Sequence, residues 1–205
     1  SDFLRNSQFE NQWSNATKEW ESKKREPAPL SLEQAIALMA YTTNVTGLYR
    51  AFNRAVREAG SSGSKYREEF HFKSLHFLLT RALQRLSGPK DCLKVFRGVR
   101  GVQFTAKKGD EIRFGQFTST SLSRKVAQGY GKDTMFTVRT CHGRDIQGFS
   151  YHKSEQEVLI PPFEVFEVIE VDKEKKEIEL SSTRNFSNHE CQWLKGDTVG
   201  TAWGD

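Results

Sequence analysis

Near residue 90 the apolar residues stop recurring at helical spacing and begin to cluster in short β-branched and aromatic runs. A chain whose helices precede its strands does not build the alternating units of a doubly wound sheet, so the expected class is α+β. Phe9, Trp13, Ala16 and Trp20 share one helical face, and Glu26-Pro27-Ala28-Pro29 ends that segment. Ser31 offers an N-cap, with Gln34 as its capping-box partner, ahead of Leu32, Ala35, Ile36 and Met39. Leu48, Phe52 and Val56 line a third helix that stops at Gly60, before a flexible Ser61-Ser62-Gly63-Ser64 loop. Phe72, Leu75, Leu79, Leu83 and Leu86 line a fourth, closed by Gly88-Pro89. These stripes read as core.

Strands are expected over 95–96, 112–117, 135–140, 158–160, 163–171 and 178–180. No internal repeat interrupts the order, so residues 1–205 are expected to form a single domain. Its first part, 1–90, is mainly helical, and 91–205 is mainly β. With 15 Phe, 4 Trp and only 5 Pro, the chain has the material of a core rather than of a disordered segment. No apolar run approaches the roughly 20 residues of a membrane helix, so no membrane insertion is expected. Neither a signal peptide nor a hydrophobic anchor tail is recognisable in these residues, which suggests a trimmed mature form or a cytosolic protein.

The net charge of +5 is a small excess of 31 Lys and Arg over 26 Asp and Glu. The densest basic run, Lys23-Lys24-Arg25, reads as a solvated helix end, and no nucleic-acid partner is expected. Cys92, Cys141 and Cys191 lie far apart with no C-x-x-C spacing, so no metal is expected. Three sequons, at Asn15, Asn44 and Asn185, favour a secreted chain.

Four segments carry candidate chemistry. Gly129-Tyr130-Gly131 starts like a dinucleotide fingerprint but lacks the third glycine, and a strand follows where a helix must open. In Glu155-Gln156-Glu157, residues i and i+2 of a strand edge would point to the same side, about 6.5–7 Å apart. Glu157 also abuts an apolar run, so it should be partly desolvated. Arg97, leaving an apolar strand and followed by Gly98, suits an anion that approaches the backbone. Ser119-Thr120-Ser121 is hydroxyl-rich, with no histidine beside it to make a serine hydrolase. Taken singly, these segments also fit an acidic turn, a salt bridge and an edge strand.

Their order, Arg97, then Ser119-Thr120-Ser121, then Glu155-x-Glu157, resembles the arginine–serine–glutamate signature of the mono-ADP-ribosyltransferases. The similarity is nearest to the vertebrate arginine-specific ecto-enzymes and spans roughly residues 9–195. It extends to Ala40-Tyr41-Thr42, Phe52-Asn53-Arg54-Ala55-Val56-Arg57-Glu58, His76-Phe77-Leu78-Leu79-Thr80, Phe114-Gly115-Gln116-Phe117 and Glu157-Val158-Leu159-Ile160-Pro161. The resemblance implies a helical part packed on two β-sheets that hold NAD, the substrate. It implies that Arg97 binds the phosphate and ribose region, and that the Gly98 backbone holds the nicotinamide carboxamide. Ser119 would orient Glu157, and Ser121 could share that role. Glu157 would grip the ribose 2′-OH and stabilise an oxocarbenium-like transition state. Nicotinamide leaves without a general acid, so Glu155 is free to address the incoming nucleophile. The family also places Asn53 and Arg57 near the phosphates, Tyr130 against nicotinamide, and Phe149 and Tyr151 towards the target protein.

The activity so implied is NAD-dependent transfer of ADP-ribose to arginine side chains of target proteins, outside the cell, by a secreted or lipid-anchored enzyme. The alternatives are an NAD glycohydrolase, a bacterial toxin sharing the signature, and a catalytically silent extracellular binding domain. A disulfide between Cys92 and Cys141, each beside a predicted strand, is expected. Cys191 matches a cysteine that in the family pairs with one near the N-terminus, for which these residues offer no counterpart.

Overall fold

The computed structural model describes residues 7–43, 47–59, 70–88 and 91–183. The described residues form two compact units, one of residues up to 87 with Ile146–Ser154, the other of residues 88–145 and 155–183.

Among the described residues, the first unit holds the helices α1 (Ser7–Ser22), α2 (Leu32–Thr42), α3 (Leu48–Ala59) and α4 (Lys73–Arg85). The expected capping box is formed at α2: Ser31 Oγ accepts from Gln34 N, and Gln34 Oε1 accepts from Ser31 N at 3.0 Å. Residues 34–42 are all buried, which makes α2 the central helix of this unit. Leu32, at its first turn, is 48% exposed and stands outside the stripe expected for it. Phe9, Tyr41, Phe52 and Phe72 pack edge to face around α2, with centroids 5.7–6.0 Å apart. Asn15 is exposed on α1, whereas the sequons at Asn44 and Asn185, the 60–64 loop and Cys191 lie outside the described residues.

On α4, burial lowers the pKa of His76 from 6.5 to about 4. Between those values the unfolded chain binds a proton that the folded chain does not, so this group's contribution to stability falls as pH falls. The slope reaches about 1.4 kcal/mol per pH unit. Urea midpoints at pH 7, 6 and 5 should drop less in His76→Leu than in the parent protein. Parallel pH profiles for the two would show that His76 is readily protonated in the fold.

The second unit is a continuous eight-stranded sheet. Its strands are β1 (Leu93–Val99), β2 (Glu111–Ile112), β3 (Thr118–Ser121), β4 (Thr134–Thr140), β5 (Arg144–Asp145), β6 (Glu157–Ile160), β7 (Phe166–Asp172) and β8 (Glu177–Ser182). They lie in the order β2-β7-β8-β4-β1-β3-β6-β5, antiparallel except for β4 beside β8. One residue pair, Phe96↔Ser121, joins β1 to β3. The strands thus form one sheet in place of the two expected, because this pair at the seam joins a five-stranded section to a three-stranded one. Val95, Val99, Phe136, Val138, Val158, Ile160 and Leu180 belong to one buried apolar cluster fed by both sections.

The strand expected over 112–117 is broken. Gly115 takes φ +69, a left-handed conformation that turns the chain, so β2 ends at Ile112 and β3 starts at Thr118. Phe114 and Phe117 stay buried on either side of the turn. The strand expected over 163–171 likewise begins late, at Phe166, after the turn that follows Pro161-Pro162.

The Cys92–Cys141 disulfide is present, its Cα atoms 4.2 Å apart. The reason lies in the register: Leu93 pairs with Thr140, so the residues just outside that pair face each other. Closing a separation of 49 residues is worth about 4 kcal/mol in the chain-entropy account. The Cys141 turn is held a second time by Glu164, a carboxylate only 2% exposed. It accepts from Thr140 Oγ1 at 2.5 Å, Cys141 N at 2.7 Å and His142 N at 3.1 Å. A buried carboxylate with three donors is satisfied, and its role is structural.

Candidate active site

Arg97, Ser119 and Glu157 stand on β1, β3 and β6, three consecutive strands of the sheet. Ser121 pairs with Phe96 on one side and Glu157 on the other, which sets Phe96, Ser121 and Glu157 in one row across strands about 4.8 Å apart, with Arg97 next to Phe96 along β1. Directly paired residues project to the same face, so Ser121 and Glu157 are neighbours, and Ser119 follows two residues along on that face. Arg97 bridges the seam, its Nη1 donating to the Ser119 carbonyl at 3.0 Å.

Glu157 is 4% exposed and is followed by Val158, Leu159 and Ile160, which are fully buried. The expected desolvation is therefore present. The expected strand geometry for the pair of glutamates is not. Glu155 ends a 3₁₀ turn (Lys153–Glu155), Gln156 takes φ +48, and only Glu157 enters the strand. Alternation along a strand does not apply across a left-handed residue, so the side-by-side placement of Glu155 and Glu157 does not follow from their spacing. Glu155 itself is half-buried rather than on an exposed turn.

The hydroxyl run holds this bend in place. Ser121 Oγ donates to the Glu155 carbonyl at 2.6 Å and accepts from Ser123 N at 3.0 Å. Leu122 N donates to the Gln156 carbonyl at 3.0 Å, and Thr120 Oγ1 to the Val158 carbonyl at 2.7 Å. Ser121 is thus engaged with the backbone of the glutamate bend, which distinguishes it from Ser119.

Gly98 and the Gly129-Tyr130-Gly131 segment have a packing role that the sequence reading missed. A Cβ on Gly98 would lie 2.2 Å from the Ala127 carbonyl oxygen and 2.4 Å from that of Gly131. One on Gly131 would lie 2.2 Å from the Val99 carbonyl carbon. The two glycines let α5 (Arg124–Tyr130) and the turn after it rest directly on the β1 backbone. Helix α5 was not anticipated either. Its N-cap, Ser123, accepts from Val126 N, but Ala127 is its one buried residue, too few for an apolar stripe.

Tyr130 is the last residue of α5 and is 49% exposed. Asn53 and Arg57 belong to α3 in the helical unit. Asn53 is buried, with Nδ2 donating to Tyr41 Oη at 3.2 Å, and Arg57 is half-buried. Phe149 is 8% exposed and stacks on Trp20, so it does not present itself to a partner protein. Gly148, His152, Lys153 and Ser154 are exposed in that turn. Among the described residues, no group of three or more His, Cys, Asp or Glu is placed to hold a metal ion.

The family profile described as ART, NAD:arginine ADP-ribosyltransferase, matches residues 1–188. The chain belongs to that family. Among its ADP-ribosyltransferase relatives, the chicken NAD(P)(+)–arginine ADP-ribosyltransferase 2 is 46% identical over 211 residues, covering 100% of this chain and 66% of the relative. The human GPI-linked NAD(P)(+)–arginine ADP-ribosyltransferase 1 is 39% identical over 216 residues, 95% of this chain and 66% of the relative. The chain thus spans 66% of the length of these curated relatives. The solved eukaryotic mono-ADP-ribosyltransferase ART2.2 superposes with a TM-score of 0.78 at 39% identity, over 93% of this chain and 84% of the other. A variant of ART2.2 solved with NAD gives 0.77 at 37% identity, with the same coverage. Exoenzyme S of Pseudomonas aeruginosa shares the fold at 22% identity, with a TM-score of 0.64 over 93% of this chain and 99% of the other.

Proposed function

We propose that this ADP-ribosyltransferase-family chain transfers ADP-ribose from NAD to arginine side chains of target proteins and releases nicotinamide. The observation that supports it is the juxtaposition on β1, β3 and β6. The Arg97 guanidinium donates to the carbonyl of Ser119 on β3, the strand that pairs with β6 and its buried Glu157. That donor set fits NAD: Arg97 offers a cation for phosphate, and Glu157 an anion for a ribose hydroxyl. NAD supplies the ADP-ribosyl group, with nicotinamide as a leaving group that departs neutral.

In this mechanism Glu157 accepts a hydrogen bond from the ribose and faces the positive charge that develops at C1 as the C1–nicotinamide bond breaks. A preformed anion in a buried site stabilises that charge without reorganising water. Ser119 orients Glu157, and the Gly98 backbone holds the carboxamide. Glu155 positions the target guanidinium and receives its proton as the new C1–N bond forms. Tyr130 packs on the nicotinamide ring. The relatives named as ecto- and GPI-linked enzymes support a place outside the cell, at its surface or secreted. No described helix is long and apolar enough to cross a membrane.

Incubation with NAD labelled in both the adenosine and nicotinamide portions, plus agmatine as acceptor, tests this reading. Labelled nicotinamide should appear together with ADP-ribosyl-agmatine. Nicotinamide with free ADP-ribose alone would make the protein an NAD glycohydrolase, and no release at all would leave a binding domain.

A further inference from the structure

Gln156 stands between the two glutamates with φ +48, in the left-handed region that disfavours any residue with a Cβ. Among the described residues, the other non-glycine positions of this kind are Lys24 and Lys176, and both lie in turns, where the conformation is ordinary. Gln156 instead stands at the mouth of a strand, directly ahead of β6. Its side chain is exposed, so burial of that side chain does not offset the cost.

What holds the conformation is backbone. The Glu155 carbonyl accepts from Ser121 Oγ at 2.6 Å, and the Gln156 carbonyl accepts from Leu122 N at 3.0 Å. Successive carbonyls of an extended strand point to opposite sides, so a straight chain would offer only one of these two to the end of β3. The left-handed residue between them turns both the same way. From the next residue on the ladder takes over, with Glu157 opposite Ser121 and Val158 opposite Thr120. The two glutamates are thus placed by different means, Glu157 by the sheet and Glu155 by the bend.

We propose that Gln156 is a positioning residue for Glu155, acting through its left-handed backbone and not through its amide. This rests on the transferase reading above. Strain of this kind persists where surrounding bonds over-determine it, and it gathers at sites that use it. Its use here is to take Glu155 off the line of β6. In a continuous strand both carboxylates would project to one side. With the bend, Glu155 is set for the nucleophile while Glu157 keeps its place on the ladder, so NAD hydrolysis should not depend on Gln156.

The test is a series at this one position. Asn and Gly accept a positive φ, whereas Val, being β-branched, resists it and favours a continued strand. In Gln156→Val, kcat/KM for transfer to agmatine is expected to fall about tenfold or more, while NAD hydrolysis without acceptor stays within about threefold of the parent. Gln156→Asn and Gln156→Gly should both keep transfer within about threefold. If either falls as far as Gln156→Val, the amide and not the backbone is at work, and the proposal is overturned. Parent-like transfer in Gln156→Val would also overturn it, as would transfer and hydrolysis falling together in a folded protein. If Gln156→Val does not fold, Gln156→Ala is read against Gln156→Gly by the same ratio. A parent protein that transfers nothing to agmatine would instead remove the transferase reading. Amide hydrogen exchange at Leu122 then tests the bend by itself: it should be several-fold faster in Gln156→Val than in Gln156→Gly, and equal rates would refute the proposal.

Discussion

Glu157→Gln is expected to lower nicotinamide release by roughly 10²–10³ while the protein still folds. Glutamine keeps the volume of a side chain that is 4% exposed and followed by three fully buried residues, so the packing of β6 is retained. The β3–β6 ladder, from Thr118↔Ile160 to Ser121↔Glu157, is made by backbone and is indifferent to the change. On the function proposed above, what is lost is the anion facing the charge that develops at the ribose. Melting temperature should change little or rise, because a desolvated carboxylate kept for chemistry often burdens the fold. The measurement is release of labelled nicotinamide under saturating NAD, alongside thermal unfolding of both proteins. Parent-like turnover in the variant would remove Glu157 from catalysis and the enzyme reading with it.

The residues that carry this expectation were legible in the sequence for different reasons. Arg97, Ser119 and Glu157 stood out as a combination ordered along the chain. Their approach in space depends on a ladder between strands 20 to 60 residues apart, and only pairing such as Ser121↔Glu157 reveals it. Helices α1 to α4 followed from periodicity because each buries a wide apolar stripe. Helix α5 has no such stripe and was missed. Over 112–117 the error has a single cause: apolar spacing continues through Gly115, but the backbone there turns left-handed. The sequence shows a glycine without showing its φ. The same limit applies at Gln156, where a positive φ undoes the alternation assumed for the two glutamates. Lys23 and Arg25 were misread because their partners are carbonyls, which have no residue identity and leave no trace in composition.

Glu155→Gln should separate arginine transfer from plain hydrolysis of NAD. A guanidinium with a pKa above about 12 is cationic and has no free lone pair, so it needs a carboxylate to place it and to receive its proton. Water requires far less help. Transfer to agmatine is therefore expected to fall by about 10² or more, within the usual range for loss of a general base. Hydrolysis to free ADP-ribose should persist at a rate comparable to the parent's. The structure favours a clean outcome because the bend at Glu155 is fastened through its carbonyl by Ser121, a bond that the side-chain substitution leaves in place. Gln156, whose left-handed φ of +48 sets the bend, is also untouched. If both activities survive, Glu155 is a spectator at the edge of the turn. If both vanish while the protein stays folded, Glu155 serves NAD binding, and the division of labour between the two glutamates is wrong.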